Sequence, residues 1–175
     1  VPPKGATVVV ADCGAMSRET VDHDDVERRA LRVVRDTFRR GGSVLIPVDT
    51  FAAGVEVMIL LQRLFQADGL SYPLVFASSK ASQYTDRLRT LIEFVNDGVF
   101  SEEHEEAFPG VSMANTQEEI DALPTAKCII AQSSADFTAG FGASLLAEHL
   151  ADSMSAVILP QPLPAAPSRD ADAPP

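Results

Sequence analysis

Short aliphatic runs alternate along this chain with longer stretches whose apolar residues return every three or four positions. Ala6–Ala11 (ATVVVA) is too short and too branched to favour a helix, and it reads as a strand buried on both faces. From about Asp24 the period changes: Val26, Ala30, Val33 and Val34 recur at helical spacing, acidic residues occupy the first turn, and Gly41-Gly42 supply the stop. Ser43–Val48 (SVLIPV) returns to a buried strand, with Pro47 near its end, where a missing donor does least harm.

Val57, Leu60, Leu61 and Leu64 form the apolar stripe of a second helix, from about Ala53 to Gln66. Tyr72–Ala77 (YPLVFA) is a third strand, and Tyr84, Leu88, Leu91, Ile92 and Val95 mark a third amphipathic helix. Residues 96–125 are acidic and weakly patterned, and read as loop with one short helix near Gln117. Ala126–Ala131 (AKCIIA) reads as a strand, Phe141, Leu145, Leu146 and Leu150 as a helix, and Ser155–Leu159 (SAVIL) as a last strand. The Pro- and Ala-rich residues 160–175 cannot build a core and are expected to be flexible. Strands alternating with helices imply right-handed crossovers, so the predicted class is α/β: three layers, a mostly parallel sheet with helices on both faces.

A chain of 175 residues, 46% of them hydrophobic, suits one compact domain. It begins at Val1 and closes on Pro/Ala/Asp-rich sequence, and is expected to be a segment of a longer protein. The formal net charge of −11 argues against a non-specific nucleic-acid binder, because phosphate affinity comes largely from Lys and Arg, so any RNA contact has to be local. Two cysteines, Cys13 and Cys128, are too few for a disulfide framework and point to a reducing compartment. The apolar runs are shorter than the roughly 20 residues a membrane-spanning helix needs, and no membrane partner is expected.

The run Gly41-Gly42-Ser43-Val44-Leu45-Ile46-Pro47-Val48-Asp49-Thr50, continuing through Phe51–Glu56 into an apolar helix, resembles the strand-turn-helix that opens the β-CASP domain of metallo-β-lactamase-type RNA nucleases. Val8–Asp12 and the helix at Asp25–Arg40 resemble the end of the lactamase part and the lead into that domain. Cys128–Gln132, Asp136–Phe141 and Leu145-Leu146 resemble a later strand and glycine-bearing turn. Within the family, Asp49-Thr50, Gly140-Phe141 and Ala11-Asp12-Cys13-Gly14 point to the branch of catalytically inactive, hundred-kilodalton subunits of cleavage and polyadenylation factors; active nucleases carry a Glu-Ser-Thr-Tyr-like sequence at the last of these. Residues 1–159 are then a β-CASP-type α/β domain that includes the end of the preceding lactamase part. The sequence departs from the family at Ala52-Ala53, where Gly-Arg is common, and at Gly142-Ala143, where Ser-Arg is expected. Two arginines that the resemblance offers as candidates for phosphate binding are thereby absent, which weakens the expectation that this surface holds RNA in the family's manner.

The resemblance implies a non-catalytic region of a pre-mRNA 3′-end processing subunit, acting in complex assembly and RNA positioning in the nucleus. Its expected partners are other cleavage and polyadenylation factor subunits, especially an active β-CASP nuclease, and pre-mRNA. Active relatives are metal-dependent endoribonucleases, so a fragment of an active zinc-dependent β-CASP ribonuclease is one alternative. An unrelated nucleotide-binding α/β domain is another.

Glu56 stands at the family's first acidic β-CASP motif, which in active enzymes helps to orient a histidine near the metals. No partner histidine is evident, and a glutamate in a first helical turn equally complements the helix dipole. His23, His104 and His149 are far apart, form no His-x-His-x-Asp-His cluster and read as surface residues; no metal ligands and no cofactor are expected in this segment. Cys13 and Cys128 read as small apolar packing. Arg28, Arg32, Arg35 and Arg39, at spacings of four, three and four, lie along one helical face. That stripe suits RNA or a partner protein, or is a solvated face relieved by Asp24, Asp25, Glu27 and Asp36. Gly140-Phe141-Gly142 lacks the third glycine of a dinucleotide fingerprint and reads as a turn packed on the sheet.

Overall fold

The computed structural model describes residues 22–90, 100–101, 104–134 and 136–160. In chain order these form α1 (His23–Arg39), β1 (Val44–Val48), α2 (Phe51–Asp68), β2 (Leu74–Ala77), α3 (Ala81–Thr90), β3 (Phe100–Ser101), β4 (His104–Ala107), β5 (Val111–Ala114), α4 (Gln117–Asp121), β6 (Cys128–Gln132), α5 (Phe141–Ala151) and β7 (Ala156–Val157). Five strands make one parallel sheet in the order β5-β2-β6-β1-β7, and β3 and β4 make a separate antiparallel pair. The α/β class and the helix-covered parallel sheet match the expectation from the sequence.

The order obeys the handedness of crossovers. From β1 to β2 to β5 the chain steps outward in one direction, through α2 and α3; from β5 to β6 to β7 it steps back, through α4 and α5. A right-handed crossover travelling the other way has to use the other face of the sheet. Two cores follow. Val44, Ile46, Val48, Leu74, Phe76, Cys128 and Ile130 pack with Val34 and Phe38 of α1, Met58, Leu61 and Phe65 of α2, and Ala81 of α3. The alternate strand positions Leu45, Val75, Ala77, Ile129 and Ala131 pack with Ile120 of α4 and Leu145 of α5.

Pro47 sits in β1, an interior strand, without costing a ladder bond. Ser43 and Leu45 turn their carbonyls toward β7, accepting from Ala156 N–H and Ile158 N–H, so Pro47 faces the same side beyond the point where β7 ends.

Several expectations need correction. On α1 the buried residues are Val34, Thr37 and Phe38, while Val26 and Val33 are exposed. On α2 the core stripe is Gly54, Met58, Leu61 and Phe65, and Val57, Leu60 and Leu64 are half-buried. On α5 it is Gly142, Leu145 and His149, and Leu150 is 70% exposed. In each case apolar residues flank the core face closely enough for a neighbouring helical phase to look as plausible. The stretch read as loop contains β3, β4 and β5, of which β5 forms a sheet edge. Its pattern of half-buried, exposed and buried residues (Val111, Ser112, Met113, Ala114) lacks the β-branched run that marks a central strand. The strand expected at Ala6–Ala11, the end of the third helix beyond Thr90 and the tail from residue 161 lie outside the described residues.

Candidate functional site

Neighbouring parallel strands whose following helices leave on opposite faces open a crevice at their carboxyl ends. β2 and β6 are such a pair, since α3 departs toward one core and α5 toward the other. A cleft of about 310 Å³ lies there, lined among others by Ser78, Lys80, Tyr84, Gln132, Ser133 and Gly140. Ser78, 2% exposed, donates from Oγ to Gln132 Oε1 at 2.5 Å and accepts from Lys80 N–H at 3.2 Å. Ser133 N–H donates to Val48 O at 2.8 Å, and its hydroxyl donates to the carbonyls of Ser134 and Ala139. The tips of three strands are thereby laced together beneath the cleft.

The far wall depends on two glycines. Gly140, the N-cap of α5, has φ +88°, and a Cβ there would stand 2.6 Å from Gln132 O; at Gly142 a Cβ would stand 2.6 Å from Ser133 Cβ. The turn read as packed against the sheet is so packed. Before it, Asp136 Oδ1 accepts from Ser134 Oγ at 2.6 Å, Thr138 Oγ1 at 2.8 Å and Thr138 N–H at 3.2 Å, which holds its carboxyl down to about 2. On the other wall, Tyr84 stacks on Phe51 with ring centroids 4.4 Å apart, and Phe51 meets Phe76 edge-on at 5.5 Å. The cleft offers hydroxyls, amides, the rings of Tyr84 and Phe141 and the exposed ammonium of Lys80: a largely polar binding shelf.

Sequence reasoning did not single out Ser78, Lys80, Gln132 or Ser133. The signal was present, because each polar group follows a buried strand directly and precedes a helix, as in Ala77-Ser78-Ser79-Lys80 and Ala131-Gln132-Ser133-Ser134.

Glu56 is exposed and, among the described residues, has no hydrogen-bond or ion-pair partner. It stands in the second turn of α2, not the first, so the dipole explanation is corrected: Thr50 Oγ1, accepting from Ala53 N–H at 3.2 Å, caps that end. Arg28, Arg32, Arg35 and Arg39 do share one groove on α1, with Leu31 and Asp36. Arg28 pairs with Asp25 at 3.7 Å, Arg39 with Asp36 at 3.6 Å and Arg35 with Asp68, while Glu27 turns to Arg63 at 2.5 Å. The groove and the cleft share no lining residue among the described residues.

The surface reading of His149 is overturned. Only 8% exposed, it accepts from or donates to Ser43 Oγ at 2.9 Å through Nε2 and meets Leu145 O at 2.9 Å through Nδ1. Its face could have been read from the spacing Gly142, Leu145, His149. The side chains of His23 and His104 lie outside the described residues. Cys128 is buried in β6, with its thiol pushed up to about 12 by burial; Cys13 lies outside the described residues. Among the described residues no three His, Cys, Asp or Glu side chains converge as metal ligands, and no helix is long and apolar enough to cross a membrane.

Comparison with known proteins places this architecture. The chain is 25% identical over 137 residues to "Cleavage and polyadenylation specificity factor subunit 2" of Arabidopsis thaliana, covering 75% of this chain and 18% of that protein. It is 27% identical over 128 residues to "Endoribonuclease ysh1" of Schizosaccharomyces pombe, covering 70% and 17%. To "Transcription termination factor FttA" of Thermococcus kodakarensis it is 27% identical over 73 residues, covering 41% and 11%. The chain thus spans less than a fifth of the length of these relatives. The Beta-Casp domain family model matches residues 55–164, more than half of the chain, which sets aside an α/β domain of another lineage. With the matched span running from the second helix through the last strand of the sheet, this chain belongs to the β-CASP domain family.

Proposed function

We propose that this chain is the non-catalytic β-CASP region of a pre-mRNA 3′-end cleavage and polyadenylation factor subunit, acting in complex assembly and RNA positioning in the nucleus. The observation that carries the reading is the similarity to "Cleavage and polyadenylation specificity factor subunit 2" of a plant across 75% of the chain. The setting of Glu56 is consistent with it: the carboxylate is exposed and, among the described residues, orients no side chain. In this reading the segment holds no cofactor of its own. Its partners are the other subunits of the factor, above all an active β-CASP nuclease, and the pre-mRNA.

RNA contact would be local, because the net charge of −11 opposes a general phosphate affinity. Two surfaces suit contact: the polar cleft at the ends of β2 and β6, and the stripe Arg28, Arg32, Arg35 and Arg39. A second reading, a fragment of an active zinc-dependent β-CASP ribonuclease, draws on the 27% identity to "Endoribonuclease ysh1". An upstream His-x-His-x-Asp-His run in the same polypeptide would favour it.

Rapid depletion of the protein in its source cells, followed by mapping of transcript 3′ ends, tests the assignment to this process. Transcripts are expected to extend past their normal cleavage sites. Unchanged 3′ ends after complete depletion would overturn the proposal.

A further inference from the structure

Six of the 14 Lys and Arg residues of a strongly acidic protein fall between positions 28 and 40, five on α1 and Arg40 as its C-cap. Along α1 the side chains of Arg28, Arg32, Arg35 and Arg39 border a groove floored by Leu31, which continues toward Leu64 of α2. From the first arginine to the last the helix rises about 16 Å, or three turns. The cations are incompletely neutralised. Arg28 and Arg39 stand 3.7 and 3.6 Å from their carboxylates with 68% and 77% of their side chains exposed, and Arg32 has no acidic partner among the described residues.

We propose that this groove is the docking site for an acidic amphipathic helical segment of a partner polypeptide. The inference deepens the assembly role proposed above and rests on it for its biological setting, though not for its test. Charge complementarity selects an acidic occupant. The apolar floor then distinguishes a peptide from a nucleic acid. Leu31 and Leu64 offer aliphatic surface that side chains of an amphipathic helix would cover, whereas a phosphodiester backbone brings nothing apolar to it. Among the described residues no aromatic side chain lines the groove to stack a base, and the carboxylates of Asp24, Glu27 and Asp36 at its rim repel a continuous run of phosphates. An amphipathic helix can leave a gap opposite each of them.

The probe is a fluorescein-labelled, four-turn helical peptide with glutamates at the matching four-three-four spacing and leucines on the adjoining face. Its binding to the chain is followed by fluorescence anisotropy at low ionic strength. Saturable binding is expected. It should weaken roughly tenfold for the Arg32→Glu/Arg39→Glu variant, whose exposed positions leave folding intact as judged by circular dichroism, and similarly for a peptide with serines in place of the leucines. An oligouridylate of equal charge should not displace the peptide. Absence of saturable binding, equal affinity for the double variant, or displacement by the oligouridylate at lower concentration than unlabelled peptide would each overturn the inference. None of these outcomes bears on transcript 3′ ends, so failure of the groove and failure of the proposed function remain distinguishable.

Discussion

Ser43 Oγ lies 2.9 Å from Nε2 of His149, joining the segment that leads into β1 to α5 across 106 residues of sequence. The contact is one link of a chain: Ser43 Oγ stands 3.2 Å from Ser155 Oγ, which donates to Asp152 Oδ2 at 2.6 Å. Nδ1 of the imidazole lies 2.9 Å from the carbonyl of Leu145, an acceptor only, so Nδ1 carries the proton in that bond. Replacing His149 by Ala strips a buried partner from Ser43 and opens a void, so a loss of about 1–3 kcal/mol is expected. Urea denaturation of His149→Ala, Ser43→Ala and the double variant checks this: the double variant should lose clearly less than the sum of the singles.

Gly54 gives a prediction in which two effects oppose. Alanine is favoured over glycine inside a helix by about 1 kcal/mol. Here, however, a Cβ would stand 2.7 Å from the ring of Phe76, which is fully buried and held edge-on by Phe51. Overpacking of about 1–3 kcal/mol should outweigh the propensity gain, so Gly54→Ala lowers the midpoint of thermal unfolding. Shortening the obstacle with Phe76→Leu should make the second substitution less harmful in the double variant than in the wild type.

Asp136 carries the pH prediction. Hydrogen bonds from Ser134, then from Thr138, hold its carboxyl at about 2, below the ordinary value of 3.8. A carboxyl depressed in this way favours the ordered turn above the ordinary value, and that contribution is lost as the pH falls through about 2. Carbon-detected NMR titration should find Asp136 still ionised at pH 3. Ser134→Ala should move its midpoint upward; a wild-type midpoint near 3.8 would contradict the network.

Cys128 should be chemically silent in the native protein. Full burial in β6 pushes its thiol up to about 12, so neither access nor thiolate is available at neutral pH. In a Cys13→Ser background, labelling by iodoacetamide should occur only at the rate of global unfolding.

Much of this architecture was legible in the residues. Ser43–Val48 and Ala126–Ala131 anticipate β1 and β6 to within two residues, because central parallel strands are apolar on both faces and leave an unbroken run. The edge strand β5 escaped notice since one flank is unpaired, and Ser112 interrupts its short pattern. Helix phase was harder. Val26 and Val33 advertise a stripe that the core does not use, and only the packing of Val34 and Phe38 on the sheet selects the true face. Each wall of the cleft had a local signal, a polar group directly after a buried strand, but their meeting did not: Ser78 and Gln132 are 54 positions apart and become neighbours only when β2 and β6 pair.

The central claim, that the β-CASP region proposed here serves assembly rather than hydrolysis, is tested most directly by the full-length subunit's own action on RNA. Purified alone and supplied with zinc, it should leave a radiolabelled pre-mRNA substrate uncut, and Glu56→Gln should change nothing. Cleavage that a chelator stops and that Glu56→Gln sharply reduces would contradict the account.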